Sequence, residues 1–230
     1  MLSGTQAHGR APGLALVAQS GGAQVPARSG FAKLALDKVF AAAALVALTP
    51  LMAGIALAIY LSEGGPVIFR HWRMGQGGRP FPCLKFRTMS PDGDRKLDEV
   101  LRIDPIARSE WLSERKLFRD PRVGRLGRFL RRSSLDELPQ LWNVLCGDMS
   151  LVGPRPIVED EVPLYGSDYA YYTAVRPGLT GIWQVAGRGV CSYEERVALD
   201  VDYVRGQTIG GDVRILARTV GAVLSGRGAA

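Results

Sequence analysis

A chain of 230 residues that is 47% apolar and 22% charged can bury one globular core with appendages, and it is too apolar for a disordered protein. The net charge of +7 points to anionic partners: nucleic acid, anionic lipid or nucleotide phosphates. Cys83, Cys146 and Cys191 are odd in number and irregularly spaced, which excludes a disulfide framework or a zinc site and fits a reducing cytosol.

Residues 1–30 are rich in Gly, Ala, Ser and Gln without periodicity and are expected to be a disordered tail. Residues 31–62 hold the uncharged run from Val39 to Leu61, about two dozen residues and long enough to span a bilayer. Thr49 and Pro50 divide that run into arms of about twelve residues, each rising roughly 18 Å as helix. Proline removes a backbone hydrogen bond there, and Thr49 can satisfy a freed group. Both flanks are basic, with Arg28, Lys33 and Lys38 before the run and Arg70, Arg73 and Arg79 after it. Positive flanks hold both ends on the cytoplasmic side, so the expectation is a re-entrant helix broken at Pro50 rather than a straight span.

Pro66–Met74 and Arg79–Met89 read as short strands joined by the turn Gly75–Gly78. Lys85 and Arg87 alternate with apolar neighbours and are expected to project from one strand face. Residues 92–118 predict one or two amphipathic helices interrupted at Pro105, lying on the domain or membrane surface. Arg119, Arg122, Arg125, Arg128 and Arg131 then recur at every third position, a ladder suited to headgroups or phosphates.

The ladder leads into RRSSLDELPQLWNVLCGDMSLVGPRP (Arg131–Pro156). Ser134 and Glu137 have capping-box spacing, but that register puts Pro139 in the fifth helical position. With Asp136 as N-cap, Pro139 falls in the first turn, where its missing N–H costs nothing. The expected helix then runs through Leu145, and its dipole lowers the pKa of the Asp136 carboxyl, as suits a nucleophile or a metal ligand. Beyond it lie Glu159–Glu161 and a tyrosine cluster (Tyr165, Tyr169, Tyr171, Tyr172) fitting either core packing or a membrane interface. Arg176–Arg188 reads as a Pro-Gly turn, a short strand and a Gly-Arg turn, and Ser192–Leu224 as a final helical stretch.

SLDELPQLWNVLCGDMSLVGPRP, preceded by GGPVIFRHWRMGQGGRPFPCLKFRTM and followed by RPGLTGIWQVAGR and SYEERVALDVDYV, closely resembles the bacterial sugar transferase family, the monotopic phosphoglycosyl transferases. The likeness extends over roughly Lys33–Arg227 and is strongest to the short exopolysaccharide-initiating galactosyl-phosphate transferases. It implies a mixed, helix-rich α/β fold with a re-entrant membrane helix, interfacial helices and a small sheet, the catalytic domain occupying residues 63–227 on the cytoplasmic face of the bacterial inner membrane. It implies transfer of a sugar-1-phosphate, galactose before glucose, from a UDP-sugar to undecaprenyl phosphate, and leaves room for a homodimer. By the same resemblance Asp136 is the nucleophile and Glu137 binds Mg²⁺ with it. Lys85, Arg87, Arg131 and Arg155 hold phosphates, and Gln184 and Arg188 lie on the substrate side.

Two other readings compete. Asp200-Val201-Asp202 has the D-x-D form of a metal-dependent glycosyltransferase, which would release UDP rather than UMP, although it falls in a helical register. A basic nucleic-acid module on a membrane anchor is permitted by charge, but no helix-turn-helix, RNP or zinc pattern is present, so no nucleic-acid partner is expected.

Overall fold

The computed structural model describes residues 30–114, 117–186 and 192–224. The tail (residues 1–29), Cys191 and Arg188 lie outside the described residues.

The apolar run forms α1 (Phe31–Glu63), one continuous helix with Pro50 inside it. The expected break at Pro50 is not a change of element, and Thr49 Oγ1 donates to Leu45 O at 2.7 Å. It is the one helix among the described residues long and apolar enough to cross a membrane, and only 11% of its most apolar window is buried. Its buried positions, Lys33, Asp37, Ala41, Ile55 and Ile59, recur at helical spacing and form one stripe from end to end. The stripe packs on the rest of the chain: Ala41 joins a core with Phe81, Leu141, Val144 and Met149, while Ile55 and Ile59 meet Phe86 and Leu130. Val39, Phe40, Val46, Leu57 and Leu61 remain exposed on the other faces.

After α1 the chain forms the antiparallel hairpin β1 (Ile68–Met74) and β2 (Pro80–Phe86), in which Ile68 pairs with Phe86 and Met74 with Pro80. The expected helix pair follows as the amphipathic α2 (Gly93–Ile103) and a more evenly mixed α3 (Pro105–Glu114), divided at Asp104, whose carboxylate accepts from the amides of Ile106 and Ala107. Ile103, Ile106 and Leu112 are exposed on this pair. Next come α4 (Arg125–Arg132) and α5 (Gln140–Cys146), which packs along α1.

A second, parallel pair joins β3 (Ser150–Val152) to β4 (Gly178–Thr180). Here glycine is required by contact: a Cβ on Gly178 would lie 2.1 Å from Gly153 N, and the approach lets Gly178 N donate to Pro154 O at 2.7 Å. Between the strands run α6 (Val162–Tyr165) and α7 (Tyr169–Ala174). Tyr165, Tyr169 and Tyr172 pack together with Ile157, Val197 and Val201, so these three tyrosines are core rather than membrane-interface residues. The short strand expected within Arg176–Arg188 is β4, and it is followed by an unexpected short helix, α8 (Ile182–Ala186). The final helical stretch is two helices, α9 (Tyr193–Arg205) and α10 (Ile209–Leu224).

A buried ionic network closes the fold at the start of α1. Lys33 Nζ lies 2.6 Å from Asp212 of α10 and 3.4 Å from Asp37. Ser150 donates to Asp37 and Tyr203 to Asp212, so both carboxylates are hydrogen-bonded as well as paired. Lys33→Ala would leave two carboxylates buried without their cation, and should cost about 3–5 kcal/mol of stability. Thermal unfolding in detergent or nanodiscs measures this, with the exposed Arg95→Ala as a control that should leave the transition in place.

Candidate active site

The acidic pair sits at the junction of α1, β2, α4 and α5. Asp136 and Glu137 belong to a single 3₁₀ turn, Leu135–Glu137, and α5 starts later, with Pro139 in the N-cap position. The expected Asp136 N-cap is therefore not formed. Pro139 takes helical φ and ψ, so the helix begins behind it, and the turn before it is set by Ser134 at φ 56°. A left-handed serine is a sparsely populated conformation, stored two residues before the acidic pair.

The pKa expectation is corrected with it. Asp136 is buried, 8% exposed, and burial raises its carboxyl above the ordinary range. The Lys85 and Arg131 cations pull it back down, and the neighbouring Glu137 pushes it further up. The result is a carboxylate stripped of water and held among cations, suited to attack on an electrophile rather than to solvation. Glu137 instead faces an open cleft of about 280 Å³, where Lys85 Nζ lies 2.8 Å from its Oε1.

That cleft is walled by Arg73 from β1, Cys83 and Lys85 from β2, Gln140 from α5, Arg155 and Pro156 from the segment after β3, and Gly178, Leu179 and Gln184 beyond. Sequence reasoning named Lys85, Glu137, Arg155 and Gln184, and the fold brings these four together. Among the described residues Arg155 has no carboxylate within ion-pair distance; its guanidinium lies 5.8 Å from the Trp183 ring. Arg131 lies on the Asp136 side, where its Nε donates to Thr88 Oγ1 at 2.8 Å. The rest of the arginine ladder does not form one strip, because a three-residue spacing rotates around a helix. Arg125 and Arg128 are exposed, and Arg122 is committed to Asp120 through a fork of contacts of 2.6–3.1 Å.

Arg87 does not line the cleft. It lies just past β2 and donates through its NH2 group to the carbonyls of Glu63 and Gly64, at 3.1 and 2.6 Å. Those carbonyls end α1 and need donors, which is the physical reason Lys85 and Arg87 do not converge on one anion.

Sequence reasoning missed Arg73, Gln140, Cys83 and Asn143. Asn143 is 2% exposed on α5; its side chain accepts from Leu84 N at 3.0 Å and donates to Pro82 O at 2.9 Å. It pins β2 to α5 and so holds Lys85 opposite Glu137. Its only signal was an amide inside the apolar run LWNVL. Cys83 is the other nucleophile type in the cleft, but burial pushes its thiol up to about 11, so it stays protonated at neutral pH.

Among the described residues no three His, Cys, Asp or Glu side chains cluster as a metal site. The acidic pair is a two-carboxylate set, which fits Mg²⁺ held by one or two carboxylates together with substrate phosphates. The D-x-D pair is not such a set: Asp200 is 3% exposed and accepts from Tyr165 OH at 2.7 Å inside the tyrosine core, while Asp202 is exposed.

A desolvated carboxylate and its acidic neighbour, faced by cations beside a long apolar helix, define a membrane-associated protein that handles anionic groups. The chain belongs to the bacterial sugar transferase family, whose profile matches residues 28–226. It is 48% identical over 199 residues to the exopolysaccharide production protein ExoY of Rhizobium meliloti, covering 86% of this chain and 88% of that one. It is 48% identical over 206 residues to the undecaprenyl-phosphate galactose phosphotransferase of Salmonella typhimurium, covering 87% of this chain but only 42% of that protein's length. To the UDP-glucose:undecaprenyl-phosphate glucose-1-phosphate transferase of Caulobacter vibrioides it is 42% identical over 201 residues, 84% of this chain and 70% of that one.

Burial raises Asp200 to about 6, with the Tyr165 hydrogen bond and Arg196 opposing. A raised carboxyl favours the fold while protonated, so this contribution is complete below about pH 4 and is lost as pH rises through about 6. Asp200→Asn keeps an acceptor for Tyr165 and should flatten stability between those limits, as read by thermal unfolding across pH. Because Asp200 lies in the tyrosine core and not in the cleft, the variant should also keep turnover within about threefold of wild type.

Proposed function

We propose that this chain transfers a sugar-1-phosphate from a UDP-sugar to undecaprenyl phosphate through a covalent aspartyl-phosphosugar intermediate, releasing UMP, as the first membrane step of exopolysaccharide synthesis. The observation that carries the reading is Asp136: a buried carboxylate among Lys85 and Arg131, next to a cationic cleft, in a chain with 48% identity to a galactose phosphotransferase. Galactose is the first choice of sugar and glucose the next, with a relative named for galactose at 48% identity and one named for glucose at 42%.

The donor diphosphate lies in the cleft, where Arg155, Arg73 and Lys85 offset its charge. Asp136 attacks the β-phosphorus, the bond from that phosphorus to the bridging oxygen breaks, and the electron pair leaves on UMP. The undecaprenyl phosphate oxygen then attacks the same phosphorus and returns the carboxylate to Asp136. Held by Glu137 and Asp136 with the phosphates, Mg²⁺ would supply further neutralisation of the diphosphate charge. A covalent carrier lets a water-soluble donor and a lipid-bound acceptor use one site in turn.

The reading includes a monotopic placement, with the residues before α1 and the catalytic domain on the cytoplasmic face of the inner membrane. Its support is the packed stripe of α1. A perpendicular span of Val39–Leu61 would carry Lys33 and Asp37 across the bilayer from the end of α1 that joins β1, and would break their network with Asp212 of the domain. A re-entrant or surface-lying helix keeps that network with the domain and presents Val39, Phe40, Val46 and Leu57 to lipid. Cysteines placed in the tail should therefore be labelled from the cytoplasm only; labelling from the periplasm of intact cells would overturn this placement.

Asp136→Asn should abolish UMP release and the covalent adduct. Because ionised Asp136 is buried and its pKa is raised, its charge burdens the fold at neutral pH; the stability it lends when protonated fades as pH rises through that pKa. The variant should therefore unfold at the wild-type temperature or above. The acid limb of turnover should likewise lie above the ordinary carboxylate range. Wild type given UDP-galactose without acceptor should release about one UMP per site. Turnover retained in Asp136→Asn, or an adduct mapped to another residue, would refute the nucleophile assignment.

A further inference from the structure

Three consecutive stretches of backbone meet at the end of β2. Phe86, 3% exposed, packs in the same cluster as Ile55 and Ile59 of α1. Arg87, 9% exposed, holds the α1 terminus through the Glu63 and Gly64 carbonyls, and its backbone N donates to Val67 O at 2.9 Å. Its Nε lies 4.0 Å from Glu63 Oε2, while Nε, NH1 and that carboxylate oxygen are buried without a hydrogen-bond partner, so the NH2 group alone makes the clasp. One residue further on, Thr88 accepts from Arg131; two residues before, Lys85 pairs with Glu137. The Arg87 N to Val67 O bond carries the pairing one residue past β2, and a strand is nearly inextensible at about 3.3 Å per residue, so a shift of Arg87 is passed back to Lys85; Thr88 follows as its bonded neighbour.

Resting on the function proposed above, we infer that Arg87 is a positioning residue: by clasping the carbonyl end of the apolar helix it fixes Lys85 against Glu137 and Thr88 against Arg131, so the seating of α1 sets the cations around the acidic pair. The guanidinium complements the negative end of the α1 dipole, and its NH2 group reaches two carbonyls at once. This is a different use of the residue from binding a substrate phosphate, and the two uses separate kinetically. A clasp acts on the geometry of the reacting groups and lowers kcat, whereas a phosphate ligand shared by ground and transition states raises KM.

The test uses the full chain in nanodiscs of phosphatidylethanolamine and phosphatidylglycerol, with UDP-galactose titrated and UMP release measured. Arg87→Ala should lower kcat by about 10- to 100-fold, the loss typical of misplacing groups by about 1 Å, with the donor KM changed less than about threefold. Mass-spectrometric amine acylation should show Lys85 more reactive in the variant, because its contact with Glu137 is loosened. Arg87→Lys, which can still reach one carbonyl, should recover part of kcat. If Arg87→Ala loses its cooperative unfolding transition, Arg87→Lys with wild-type thermal stability decides the matter by the same kinetic split. A raised KM with unchanged kcat, unchanged kinetics in folded variants, or unaltered Lys85 acylation would overturn the clasp. A wild-type protein that releases no UMP would instead defeat the functional reading.

Discussion

The strand β2 is gripped from both sides, and the site depends on that grip. On one side Asn143 of α5 takes the Leu84 amide and the Pro82 carbonyl; on the other, Phe86 and Arg87 meet the α1 helix. Lys85 lies between the two attachments, so its backbone is fixed at a distance from which its Nζ reaches Glu137 Oε1 at 2.8 Å. Buried backbone groups that lose a partner cost about 1–3 kcal/mol each, so the polar pins are as consequential as the apolar contacts around them. The position of one ammonium group thus follows from the packing of two helices against one strand.

The apolar helix is consequently part of the core rather than an appended anchor. Its inner stripe fills two clusters that also contain residues of β2, α4 and α5, and its first turns carry the ionic network to α10. Its outer faces stay apolar and exposed, which is unfavourable in water and favourable against lipid. One element therefore meets two solvents. The sites of contact with the domain are spread over its whole length, so bilayer and active site share a common boundary.

The chemistry of the acidic pair comes from an asymmetry of burial. Asp136 is turned inward and loses hydration, while Glu137 lines the cleft and is paired with Lys85. Adjacent residues on the 3₁₀ turn are rotated about 120° from each other, which separates the two carboxylates. The left-handed Ser134 and the helix start delayed to Gln140 both serve that turn. Lys85 and Arg131 then oppose the desolvation from two sides.

The sequence alone determined the apolar helix, the hairpin, the helix pair divided near Pro105, the acidic pair beside its proline, and the family, because each is written in local pattern or in fixed-order motifs. It did not determine the Asp136 pKa, since helix-dipole reasoning sees a terminus and not the desolvation that outweighs it. Nor did it separate Lys85 from Arg87: alternation placed both on one face, but the unpaired carbonyls of a distant helix end captured the second. The short strand expected within Arg176–Arg188 forms as Gly178–Thr180, but the sequence did not show that it stops there and that Ile182–Ala186 turns into a helix. Asn143 showed only as an amide within an apolar run, and Arg73 as one of several flanking cations, since their roles exist only where β2 meets α5 and where β1 meets the segment after β3. Patterns that depend on neighbours in sequence were legible; electrostatics and hydrogen-bond partners that depend on neighbours in space were decided only by the tertiary structure.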